Sequence, residues 1–95
     1  MTNAATTLRL PVALDLGSAA SLAAELSALR GAALRLDASG VDRLGGLGLQ
    51  VLLSAQLTWR NDGAEFALVD PSDAFRADWA ALGGAPDDLN EAPHG

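Results

Sequence analysis

The stretch Leu36-Asp37-Ala38-Ser39-Gly40-Val41, with Leu44-Gly45-Gly46-Leu47-Gly48-Leu49-Gln50-Val51-Leu52-Leu53 close behind it, decides how the chain is read. Ala33-Leu34-Arg35-Leu36-Asp37 alternates apolar and polar residues, the period of a half-buried strand. Asp37, Ser39 and Gly40 then supply a turn built on side-chain-to-backbone hydrogen bonds. Gly45, Gly46 and Gly48 lead into an apolar segment that reaches Arg60 and stops at Asn61-Asp62-Gly63, a strong turn signal. The pattern predicts a strand, a turn, a glycine-rich loop and a helix from about Leu47 to Arg60.

Upstream, Thr7-Leu8-Arg9-Leu10 alternates and meets Pro11, as a short strand closed by a turn does. Val12 to Leu16 is a second apolar run, and Gly17-Ser18 is a helix-start signal with Ser18 as the capping residue. Leu22, Leu26 and Leu29 recur at helical spacing among alanines and Gly31 supplies the stop, giving a helix over 18–30. Downstream, 65–69 reads as a strand and Asp70-Pro71-Ser72 as a turn and N-cap. Residues 72–82 form a helix with Phe75, Trp79 and Leu82 on one face, ended by Gly83-Gly84. Trp59, Phe66, Phe75 and Trp79 are assigned to the core, with Trp59 partly exposed near its helix end. The prolines and acids of 85–95 make a disordered acidic tail. Strands alternating with helices on short connections imply βαβ crossovers. The class is α/β: one domain over 1–84 with a small mixed, mainly parallel sheet of about four strands and about three helices. The opening pair of strands is also compatible with an antiparallel hairpin.

At 95 residues the chain has room for one core, and its hydrophobic fraction of 49% is enough to build it. Six arginines and lysines stand against twelve acids, a net charge of −6. Arg9, Arg30, Arg35, Arg43, Arg60 and Arg76 are scattered singly, so no cationic face exists to neutralise phosphates, and nucleic acid and anionic lipid are disfavoured as partners. The absence of cysteine excludes disulfides, thiolate nucleophiles and thiolate-held zinc, and fits a reducing compartment. Residues 1–7 lack the features of a signal peptide. The longest uncharged run, Leu44 to Trp59, is interrupted by Gln50, Ser54, Gln56 and Thr58, so no membrane insertion and a cytoplasmic location are expected.

The strand, the helix, the sequence Leu36 to Val41 and the glycine-rich start of the helix at Leu49-Gln50-Val51-Leu52-Leu53 together resemble the STAS domain, the family of anti-sigma-factor antagonists. The family's usual centre reads leucine-aspartate-leucine-serine-glycine-valine, then aspartate-serine-serine-glycine-leucine-glycine-valine-leucine-leucine, and the spacing here is kept without a gap. The resemblance covers Leu8 to Gly84, where Ala81-Leu82-Gly83-Gly84 is similar to the family's ending of the third helix. Over Leu36 to Trp59 the chain resembles the short STAS proteins found with alphaproteobacterial chemotaxis genes. The resemblance implies a non-catalytic regulatory protein that binds a kinase of the histidine-kinase ATPase fold, an anti-sigma factor or a chemotaxis kinase. It also leaves open an accessory subunit bound to the ATPase of a lipid-transport ABC complex. Carried over by position, the family's aspartate falls on Gly45, its first serine on Gly46, its phosphorylated serine on Leu47 and the next glycine on Gly48. Leucine cannot be phosphorylated, so the usual switch is lost while the surface remains.

Helical periodicity alone puts Gln50, Ser54 and Thr58 on one polar stripe, with Leu49, Leu52, Leu53 and Leu57 opposite it as the core face. Leu47 and Val51 flank the stripe, as residues at an interface edge do, although a wide sheet would bury both. Arg43 beside the loop either meets an acidic partner or lies solvated over apolar surface. Partner-binding candidates are therefore Arg43, Gly45, Gly46, Leu47, Gly48, Gln50, Val51 and Ser54. The glycine run lacks the Lys-Ser or Lys-Thr of a P-loop and the spacing of a dinucleotide fold, so glycines serving a positive-φ turn and close helix-to-sheet approach explain it better than nucleotide binding. Asp37, Ser39 and Asp42 fit turn and capping roles better than a metal or acid–base site, and His94 stands alone in the tail. No catalytic residue, metal or cofactor is expected.

Overall fold

The computed structural model describes residues 6–84. The elements run β1 (Thr6–Arg9), β2 (Ala13–Leu14), α1 (Leu16–Ala28), β3 (Leu34–Asp37), β4 (Arg43–Leu44), α2 (Gly46–Asp62), β5 (Phe66–Val69) and α3 (Asp73–Ala81). The tail expected over 85–95 and His94 lie outside the described residues.

Two parallel sheets carry the fold. In the larger, β3 lies between β1 and β5, with Leu36 level with Leu8 on one side and Leu68 on the other. In the smaller, Ala13 pairs with Arg43 and Leu14 with Leu44. The opening strands therefore do not form a hairpin: each pairs in parallel with a strand that follows a helical crossover, the arrangement right-handed βαβ units favour. The strand β4 has no counterpart in the sequence reading. It is two residues long, and Leu44 N–H, on the side away from β2, donates to Asp78 Oδ2 of α3 at 2.9 Å.

α1 begins earlier than Ser18. Asp15 is the N-cap, its Oδ1 accepting from the N–H of Gly17 and of Ser18 at 3.2 Å each, and Ser18 Oγ accepts in return from Asp15 N–H at 3.0 Å. This reciprocal pair satisfies donors that the helix start leaves open. α2 extends past Arg60 to Asp62, and Gly63, at φ 70°, closes it with its N–H on the carbonyls of Arg60 and Trp59. Ser72 caps α3 as expected, accepting from Phe75 N–H at 3.0 Å and donating to the Val41 carbonyl.

The core is apolar throughout, with Leu14, Leu34, Leu36 and Phe75 fully buried. Trp59 is buried as well, not partly exposed, because its Nε1–H reaches the Ala32 carbonyl at 2.8 Å and its ring lies 5.4 Å from that of Phe66. Two expected core residues are outside: Leu57 and Leu82 are 56% and 42% exposed. The buried face of α2 is Gly48, Leu49, Leu52, Ala55 and Trp59, turned from the all-leucine face toward the side where small residues let the helix come close. Gly45, Gly46 and Gly48 do not adopt positive φ. Gly48 instead permits contact: a Cβ there would stand 2.8 Å from Leu14 Cβ and 3.0 Å from the Leu14 carbonyl oxygen.

Gly48→Ala is therefore expected to lower stability by about 1–3 kcal/mol. Gly46→Ala, whose added methyl meets nothing within 4 Å, should raise stability by up to about 1 kcal/mol. Urea midpoints that fail to move in opposite directions would refute the packing account. Asp15 is held below the ordinary carboxylate range by the Ser18 backbone N–H and hydroxyl, Asp37 by Ser39, and Asp62 by the Arg30 guanidinium. A depressed folded-state pKa gives stability above the unfolded value that is lost as pH falls through the folded one, so the midpoint should hold above about pH 4 and decline below it. Asp15→Asn should show a shallower acid decline than wild type. An equal slope would remove Asp15 from the account.

Candidate functional site

The two parallel strands of the small sheet end side by side, and each opens directly into a helix. Gly45 N–H donates to the Leu14 carbonyl at 2.8 Å, so the starts of α1 and α2 are fixed next to one another. The helices then run together and enclose a groove of about 400 Å³. Its α2 wall is Leu47, Gln50, Val51, Ser54 and Thr58, and its α1 wall is Ala23, Leu26, Ser27 and the following Arg30.

The sequence-derived candidates divide into two groups. Leu47, Gln50, Val51 and Ser54 come together along the groove: Leu47 is 49% exposed in the first turn, Gln50 and Ser54 are exposed, and Val51 packs partly against the core. Arg43, Gly45, Gly46 and Gly48 do not line it. Arg43 is exposed on β4, Gly45 is the N-cap of α2, Gly46 faces open space, and Gly48 is buried against Leu14 and Leu44. The start of α2 carries no acid in its first turn and no side-chain cap.

The α1 half of the groove was missed from sequence. Ala23 and Ser27, four residues apart, share one side of α1, but small residues at helical spacing give no hydropathy signal. The far end is closed by a two-point ion pair, Arg30 Nε to Asp62 Oδ2 at 2.8 Å and Nη2 to Oδ1 at 3.1 Å. Solvent on both groups makes this a geometric tie of little energetic weight.

The groove's lining offers hydroxyls, one amide, the Arg30 guanidinium, the Trp59 indole and aliphatic surface, with no carboxylate or imidazole among the lining residues to activate a hydroxyl. Asp37 Oδ1 accepts from Ser39 N–H at 2.9 Å, a turn bond, and Asp42 is exposed. Among the described residues no group of three or more histidine, cysteine, aspartate or glutamate side chains is placed to hold a metal, and no helix is long and apolar enough to cross a membrane.

No curated protein matches the chain. The family model described as "Mlab, STAS domain" matches residues 1–84, which takes in every strand and helix of this α/β fold. The chain thus belongs to the STAS family, whose domains generally act in regulation through protein–protein contact and not in catalysis.

Proposed function

We propose that this chain is a non-catalytic cytoplasmic adaptor, folded as one domain over 1–84, that docks the start of α2 on a kinase-fold signalling partner, an anti-sigma factor or a chemotaxis histidine kinase. The observation that carries the reading is Leu47: a leucine half exposed in the first turn of α2, on the same side as Gln50, Val51 and Ser54. A large apolar side chain ringed by uncharged polar groups has the make-up of an interface anchor. Arg43 on β4, Gly45 at the N-cap and Gly46 at the first helical position lie beside it, and Gly48, buried against Leu14, seats the helix that presents Leu47. Because Leu47 stands where the family resemblance places the phosphorylated serine, the partner is held without that switch.

A second reading has the same face docked on the ATPase of a lipid-transport ABC complex. It rests on the family resemblance, which leaves such an accessory subunit open, and the matching family model carries the description "Mlab, STAS domain".

Affinity capture from native cytoplasm with wild-type protein and Leu47→Asp, followed by mass spectrometry, tests both readings. Wild type should retain a kinase-fold protein or an ABC ATPase, and Leu47→Asp should bind it about 10- to 100-fold more weakly, the range of an interface anchor. Leu82→Asp, a change at an exposed leucine outside the groove, should bind as wild type does. Equal retention by folded Leu47→Asp would remove the start of α2 from the interface, and the class of protein retained decides between the partners.

A further inference from the structure

α2 leaves two leucines in solvent, Leu47 at 49% and Leu57 at 56% exposed. Ten residues apart, they stand about 15 Å from each other along the axis and within roughly 80° around it, with Gln50 and Ser54 between them on the same outward ridge. The ridge is symmetric about the level of Leu52. Turning a second copy by 180° about an axis through that level sets Leu47 of each chain against Leu57 of the other and Gln50 of each against Ser54 of the other. A closed two-fold interface requires this kind of self-complementarity, in which residue i meets j and j meets i.

Charge selects the same face. The chain carries −6, so most ways of bringing two copies together set acids against acids. From Leu44 to Trp59 there is no ionisable residue at all, and between Leu16 and Leu29 only Glu25, which lies about 180° around α1 from Leu16. At the far end of the groove Arg30 and Asp62 neutralise one another. Leu16, 75% exposed and aligned with Ala20, Ala23 and Ser27, adds apolar surface on the α1 side, and those small residues leave room for the second copy.

We infer that the occupant of this face is a second copy of the chain, and that the protein forms an isologous dimer across antiparallel α2 helices. The inference stands apart from the partner reading. Where both hold, dimer formation covers Leu47 and competes with partner capture.

Sedimentation equilibrium of the full chain over a concentration series tests it. Wild type should show a reversible monomer–dimer equilibrium, and Leu57→Asp and Ser54→Arg should each weaken it at least about tenfold. Ala24→Arg, on the exposed side of α1 away from the groove, should leave it unchanged. Circular dichroism establishes that each variant is folded, and Ser54→Arg, at an exposed site, keeps the test open should Leu57→Asp not fold. A wild type that stays monomeric throughout, a dimer indifferent to both ridge variants, or one equally weakened by Ala24→Arg would overturn the inference. None of these results depends on whether a signalling partner is ever captured.

Discussion

The contact of Gly48 with Leu14 is the constraint on which the rest of the arrangement depends. Leu14 is the last residue of β2, Asp15 beside it caps α1, and Gly45 N–H is bonded to the Leu14 carbonyl. A side chain at 48 would push α2 off Leu14 and Leu44, and with it the hydrogen bond that holds the two helix starts together. The same short sheet ties in α3, since Asp78 takes the N–H of Leu44. One missing Cβ thus fixes where three helices stand relative to the strands.

The groove follows from that constraint at one end and from the Arg30–Asp62 pair at the other. Between them the helices touch through small and apolar residues: Leu22, Leu26, Leu52, Ala55 and Trp59 are buried, while Leu47, Gln50 and Ser54 are not. No buried side-chain polar atom among the described residues lacks a partner, so the interior has no unmet hydrogen-bonding demand. The unmet demand is at the surface, in leucines that the fold itself does not cover.

How far the sequence disclosed this depended on how strong each local signal was. The alternation in Leu34 to Asp37, the leucine spacing of α1 and the cap at Ser72 each reflect a single dominant preference, and each appears in the structure. β4 was not legible because two residues cannot show a period. Ser18 was taken as the cap because Gly17-Ser18 reads as a helix-start signal, whereas Gly17 lies inside the first turn and donates to the true cap, Asp15. Leu57 was misassigned for a more instructive reason. Hydropathy points α2 toward its leucines, whereas close approach to Leu14 rotates it toward Gly48 and Ala55, so packing distance outweighed hydrophobicity. The α2 half of the groove could be read from its polar stripe, whereas on the α1 side Leu26 was legible only as core and Ala23 and Ser27 gave no signal.

That rotation bears on how the face works. Covering the exposed part of a leucine yields on the order of 1 kcal/mol, since full burial of such a side chain is worth about 1.5–3 kcal/mol. Any association must overcome at least about 4 kcal/mol of lost translational and rotational freedom. The four leucines of the proposed dimer supply about 4 kcal/mol on this scale, no more than the lower bound of that cost, so polar and van der Waals contacts must supply the surplus and either occupant is held weakly. On the proposed reading, in which no phosphate at 47 forces release, exchange between occupants depends on fast dissociation, and a modest apolar contact without ionic locks meets that condition.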